Sequence, residues 1–205
     1  LADGENFGSG KVGGTDVNLR GISKIQLGSN DSTVMGAANT NNTIAAGTGN
    51  ASIWGGGASN DTLIGNTVHS GSTDFFYFDG NGRDLIQDFE FLNAENHSTA
   101  DRLNILTSAL INAKASGNDL VVEFTNDEDR LTIKDGIGKD IVVERGAYGG
   151  QYDSLIAQVN TNTLTYDGQA NYFYALGKNA TMSVSSDLYN AEVNLSDGGA
   201  FAGDI

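Results

Sequence analysis

Residues Val34 to Gly65 read VMGAANTNNTIAAGTGNASIWGGGASNDTLIG. Apolar anchors recur at Val34, Ile44, Ile53 and Leu63, spaced by ten, nine and ten residues, and each is followed two or three positions later by Gly or Ala. Between them stand mostly Asn, Thr, Ser and Gly, whose side chains and backbone freedom favour turns. Ala37 to Ala46, Ala46 to Gly55 and Gly56 to Gly65 therefore fit one template. A unit of nine or ten residues, half strand and half turn, cannot bury its own apolar side chain, so successive units must stack and share a core. The expected fold is all-β, a right-handed parallel β-roll or β-solenoid.

Farther along, Thr73 to Phe91 reads TDFFYFDGNGRDLIQDFEF. Phe75 and Tyr77 alternate with Phe76 and Phe78, as a strand requires, and Gly80-Asn81-Gly82 supplies a turn before Leu85-Ile86. Thr107 to Ala115 is predicted to be one short helix, with Thr107 as N-cap and Gly117 as its stop. Asp119 to Phe124 and Arg130 to Lys134 flank the acidic turn 126–129 and predict a hairpin, and Asp140 to Glu144 predicts another strand. Asn171-Tyr172-Phe173-Tyr174 with Gly177 echoes Asp74 to Tyr77 with Gly80. The expected organisation is thus an N-terminal solenoid (1–92), a segment with helix and hairpin (93–149) and a second solenoid-like β segment (150–205). Asp16-Val17-Asn18-Leu19 is similar to Glu192-Val193-Asn194-Leu195, which predicts one period of a longer array. The start at Leu1, without a signal peptide, is expected of a processed product or a piece of something longer.

Composition narrows the function. The 205 residues include 28 Gly and 22 Asn but neither Pro nor Cys. Glycine at about twice ordinary usage without proline excludes collagen, and 39% apolar residues are enough for a core. Apolar runs of a few residues fall far short of the roughly 20 that a membrane-crossing helix needs, so no membrane insertion is expected. Twenty-six acidic against eleven basic residues leave a net charge of -15, which repels phosphate backbones and makes nucleic acid an unsuitable partner. Lack of cysteine excludes disulfides, thiolate catalysis and Cys-rich zinc sites. A chain this acidic stays soluble through self-repulsion or gathers its carboxylates around hard cations, for which calcium is the usual choice outside the cell.

Gly56-Gly57-Ala58-Ser59-Asn60-Asp61-Thr62-Leu63-Ile64 resembles the hemolysin-type calcium-binding nonapeptide of the RTX family, G-G-x-G-x-D-x-U-x, with Ser59 in place of the third glycine. Gly80 to Phe89 is similar to the tapering last repeats of that family. Asp101 to Ile105, Ser116 to Val122 and Asp129 to Ile133 are similar to the segment that follows them. The resemblance covers roughly residues 37–145. It implies a parallel β-roll whose turns share calcium ions, folding after export to an extracellular or cell-surface location. The metal-ligating candidates it implies are Asp61, Asp84 and Asp88, with the carbonyls of Gly80 and Gly82. Where the family has aspartate two residues before the anchor, this chain has Asn42 before Ile44 and Ala51 before Ile53, so fewer ions than a full row are implied.

Other sites point away from catalysis. His69 and His97 lie in polar, turn-like surroundings without G-x-S-x-G or H-E-x-x-H nearby. Acidic pairs such as Asp84 with Asp88, or Asp127 with Asp129, lack a surrounding apolar cleft that would raise one pKa. Trp54 follows Ile53, so alternation turns it outward, where it caps the sheet, packs on a neighbour or stacks on a sugar. The expected function is a non-catalytic, calcium-stabilised structural module of a large surface or secreted protein such as an adhesin, S-layer or fibre. Its expected partners are neighbouring copies of the same module, with carbohydrate as a further partner. The alternative is the export and folding domain of a secreted hydrolase whose catalytic part precedes Leu1.

Overall fold

The computed structural model describes residues 7–12, 15–20, 22–91, 99–106, 112–124, 126–137, 139–146, 152–160, 163–166, 173–176, 181–184, 192–195 and 200–202. They are all-β, and no helix occurs among them. The first ten strands are β1 (Phe7–Val12), β2 (Thr15–Arg20), β3 (Lys24–Gln26), β4 (Ser32–Met35), β5 (Thr43–Ala45), β6 (Ala51–Trp54), β7 (Thr62–Ile64), β8 (Thr73–Phe78), β9 (Arg83–Gln87) and β10 (Arg102–Leu106). The others are β11 (Asn112–Ser116), β12 (Asp119–Glu123), β13 (Arg130–Ile133), β14 (Asp140–Gly146), β15 (Tyr152–Asn160), β16 (Thr163–Tyr166), β17 (Phe173–Leu176), β18 (Thr181–Val184), β19 (Glu192–Leu195) and β20 (Ala200–Ala202).

From β3 to β10 the chain changes sheet at every step. Strands β4, β6, β8 and β10 join a ten-stranded sheet, while β3, β5, β7 and β9 join a seven-stranded one. Each strand from β3 to β8 pairs in parallel with the strand two ahead of it. The anchors of consecutive units therefore belong to opposite sheets, and equivalent residues in one sheet stand nineteen apart in the tightest circuits. In the ten-stranded sheet Val34, Ile53, Phe75 and Leu103 stand in line. In the seven-stranded sheet Ile25, Ile44, Leu63, Ile86 and Ile133 do the same. Apart from the partly buried Ile25, every one of these side chains is at most 1% exposed, and all join one apolar core. Full burial of such a side chain is worth about 1.5–3 kcal/mol, which is what holds a strand of three or four residues in place.

Alternation sends Phe75 and Tyr77 inward at 0% and 1% exposure, and leaves Phe76 and Phe78 on the outer face. Trp54 also points outward, and its ring meets Phe76 edge-on at 5.5 Å and Phe78 at 6.4 Å. It caps the outer face of the sheet locally.

Beyond this stack the pairing changes sense. At one end β1 lies antiparallel to β4, and β2 antiparallel to β1. At the other end β14 continues parallel to β10, β15 turns antiparallel to β14, and β17 and β19 follow β15 in parallel. Among the described residues the order of the large sheet is β19-β17-β15-β14-β10-β8-β6-β4-β1-β2. Strands β16, β18 and β20 form a separate parallel sheet.

The seven-stranded sheet ends in β13, β12 and β11, where the predicted hairpin is found, with Leu120 opposite Ile133 and Val122 opposite Leu131. The short helix predicted over 107–115 is corrected. Residues 112–115 belong to β11, which pairs antiparallel with β12, and 107–111 lie outside the described residues. Gly117, at φ +65°, turns the chain between them instead of stopping a helix. The buried strand Leu120 to Val122 offers a full ladder of main-chain partners, and such tertiary pairing outweighs a weak helix propensity.

Candidate functional site

The passages from the large sheet to the smaller one between β4 and β5, β6 and β7, and β8 and β9 are turns that stack along one edge. Asn42, Asp61 and Asp84 occupy equivalent places there, two residues before the anchors Ile44, Leu63 and Ile86. All three are 2% exposed. The Asp61 carboxylate accepts the main-chain N–H of Asn42 at 2.6 Å, the Asn42 side-chain amide at 3.1 Å and the Ser59 hydroxyl at 2.9 Å. The main-chain N–H of Asp61 donates in turn to Asp84 Oδ1 at 2.9 Å. Asp129 repeats the device, taking N–H groups from Gly80 at 2.8 Å and Gly82 at 3.0 Å. Carboxylates thus receive amide donors that the turns would otherwise leave buried and unpaired.

A second ladder runs the opposite way on the exposed side of the turns. Asn41 Oδ1 accepts the N–H of Asn60 at 3.1 Å. On the facing edge Asp31 accepts from Asn50, and Asn50 Oδ1 from Ser72, each at 3.1 Å. That facing edge has its own buried acid, Asp101, which accepts the N–H groups of Thr73 at 2.5 Å and Glu90 at 2.9 Å. Asn41, Asn42 and Asn50 serve this purpose, because a short side-chain amide can reach across one step of the stack.

Gly55 and Gly82 are among the positions where close approach requires glycine. A Cβ at Gly55 would collide with the Asp61 carboxylate. Gly82 holds φ at +91°, and a Cβ there would meet the main chain of Ser59.

Burial dominates the electrostatics. It raises the carboxyl of Asp61 against the hydrogen bonds from Asn42 and Ser59. Asp84 is pushed up to about 8, first by burial and then by the charges of Asp61 and Asp129, against the N–H of Asp61. Burial likewise pushes Asp101 up to about 7. The Tyr77 hydroxyl is raised by burial and by Asp129 and Asp84, and it donates to the Gly82 carbonyl at 2.6 Å.

The sequence-predicted ligands are therefore only partly brought together. Asp61, Asp84, Gly80 and Gly82 share one edge. Asp88 lies on the facing edge, exposed, with φ 52°, in a surface groove beside His69, Phe91 and Lys134. The Gly80 carbonyl accepts the N–H of Ala58 at 2.6 Å, and the Gly82 carbonyl that of Arg130 at 2.8 Å. Among the described residues no group of three Asp, Glu, His or Cys side chains converges as a metal cage. Two oxygens of this edge, Asn42 Oδ1 and Asp84 Oδ2, are buried without a hydrogen-bond partner, and the charges of Asp61 and Asp129 act on Asp84. His69 Nδ1 lies 3.5 Å from Glu90, and His97 lies outside the described residues.

Sequence reading missed Asp101 and Asp129 as members of the ladders. The signal was present, since each stands two residues before a buried leucine, Leu103 and Leu131, as Asp61 does before Leu63. No protein-family model matches the chain, and no curated protein matches it.

Proposed function

We propose that the chain is a non-catalytic structural module of a large repetitive surface or secreted protein, such as an adhesin, S-layer or fibre. It is built as a right-handed parallel β-roll and stabilised by calcium. The observation that carries this reading is the use of the buried acids: Asp61, Asp84, Asp101 and Asp129 all accept main-chain N–H groups from other turns or strands. Such side chains hold the stack together, and that is the chemistry of a spacer. Parallel neighbours joined through a strand of the facing sheet are crossover connections, which are right-handed in about 98% of cases.

Calcium would be held at Asp84, with Asp61 and Asp129 as the neighbouring charges. Bound there, it would supply positive charge beside the neighbouring acids Asp61 and Asp129 and stabilise the folded state by mass action. The test is a calcium titration of unfolding midpoint by circular dichroism, with ion counting at saturation. At least one bound ion and a raised midpoint are expected, both reduced in Asp84→Asn. No bound ion and an unmoved midpoint would overturn the calcium part.

A further inference from the structure

The large sheet has two outer strands, β2 and β19, at opposite ends of its order. Among the described residues neither has a strand on its outer side. They carry nearly the same tetrapeptide, Asp16-Val17-Asn18-Leu19 in β2 and Glu192-Val193-Asn194-Leu195 in β19. An edge strand presents a row of unpaired N–H and C=O groups, so it must be covered, blunted or paired with another chain.

Directions and register limit how two copies can meet. Strand β2 runs the same way as β4, because both lie antiparallel to β1. Strand β19 runs the opposite way, since the sense reverses between β14 and β15. Gly10 stands opposite both Val17 and the core residue Val34, so positions 17 and 19 share the register parity of the core side. At the other end the same parity passes from Leu103 through Val143, Leu155, Ala157 and Phe173 to Glu192 and Asn194. A copy added by simple translation would join the edges antiparallel and match Val17 and Leu19 with the positions of Glu192 and Asn194. A half-turn about the stacking axis instead joins them in parallel, matching apolar with apolar positions.

We infer that β2 of one copy pairs in parallel with β19 of a second copy. Val17 stands opposite Val193, Asn18 opposite Asn194 and Leu19 opposite Leu195. The contact is heterologous and does not close on itself, so it propagates as a filament with alternate copies half-turned. This inference rests on the reading of the chain as a structural module. The register also sets Asp16, exposed and 3.4 Å from Lys11, opposite Glu192. That like-charge pair weakens the junction.

The test uses the 205-residue chain in sedimentation velocity and electron microscopy, with calcium and with chelator. Wild type is expected to form filaments, and Val17→Lys and Val193→Lys each to remain monomeric. Each variant keeps one free edge, so an equal mixture of the two is expected to give heterodimers and nothing longer. Asp16→Asn is expected to lower the concentration needed for assembly severalfold, with filaments of wild-type form in electron microscopy instead of amorphous aggregate. A wild type that stays monomeric at all concentrations, variants that assemble like wild type, or a mixture without heterodimers would each overturn the pairing. Calcium titration of the monomeric variants reads the module's own stability, so the pairing can fail while the structural reading stands.

Discussion

The main-chain N–H of Asp61 donates to the Asp84 carboxylate at 2.9 Å, although both residues are 2% exposed and both carry an acid. Two carboxyls so placed cannot ionise at no cost, and the amide donors offset only part of it. Burial first, and then the charges of Asp61 and Asp129, hold Asp84 up at about 8, against an ordinary 3.8. In the metal-free chain a proton on Asp84 thus favours the folded state. Its contribution is fully present below about pH 4, falls as pH rises and is gone above about pH 8. One proton sets a slope of at most about 1.4 kcal/mol per pH unit. Urea unfolding at several pH values in chelator should show wild type losing stability relative to Asp84→Asn from pH 5 to pH 8. Parallel pH profiles would contradict a raised Asp84.

Calcium at Asp84 must displace that proton. At pH 7 binding is expected to release close to one proton per ion, and apparent affinity is expected to rise with pH until about 8. Calorimetry in buffers of different ionisation enthalpy measures the release directly. Binding without proton release would place the ion elsewhere.

Gly55→Ala should be among the costliest single-methyl changes in the chain, because its Cβ falls on the Asp61 carboxylate. Overpacking of this kind costs about 1–3 kcal/mol, and displacing Asp61 also leaves the buried Asn42 N–H without its acceptor. Gly28→Ala is the control, since nothing lies within 4 Å of a Cβ there. Chemical denaturation should separate the two by more than 1 kcal/mol, and equal losses would refute the close approach.

Asp61→Ala should destabilise by about 1–3 kcal/mol in chelator as well as in calcium, since it strips a buried acceptor from Asn42 and Ser59. Asp61→Asn, which keeps an acceptor oxygen, should recover part of that loss. A loss seen only with calcium present would mean that Asp61 serves the ion and not the ladder.

Trp54→Ala should cost about 0.5–1.5 kcal/mol through its lost contacts with Phe76 and Phe78. Thermal melts measure this. Glycan binding lost in the same variant would instead show that the outer face serves a sugar.

Several features of the fold could be read from single residues. The nine- and ten-residue rhythm marked Val34, Ile44, Ile53 and Leu63 as core, because an isolated apolar residue among turn formers has nowhere to go except a shared interior. The alternation of Phe75 and Tyr77 with Phe76 and Phe78 and the hairpin around 126–129 followed from strand and turn chemistry in the same way, while which pair faces inward came from the structure. The site was less legible. Asp61 and Asp84 were found by their place before an anchor, whereas Asp88, which the resemblance also implied, lies on the opposite edge. Five residues that include a strand carry the chain across the core, and neighbours in sequence become strangers in space.

What the sequence by itself determined was periodicity: which side chains are buried, where turns fall and that strands prevail, all of which depend on residues a few positions apart. What only the tertiary structure decided was pairing. Asn112 to Ser116 became a strand because Asp119 to Glu123 lay beside it. The Gly80 and Gly82 amides met Asp129 across a separation of nearly fifty residues, 49 and 47. The strands bearing Val17 and Val193 became the two outer edges of one sheet. Hydrogen-bond partners across a stack are fixed by which circuit lies above which, and no local pattern carries that information.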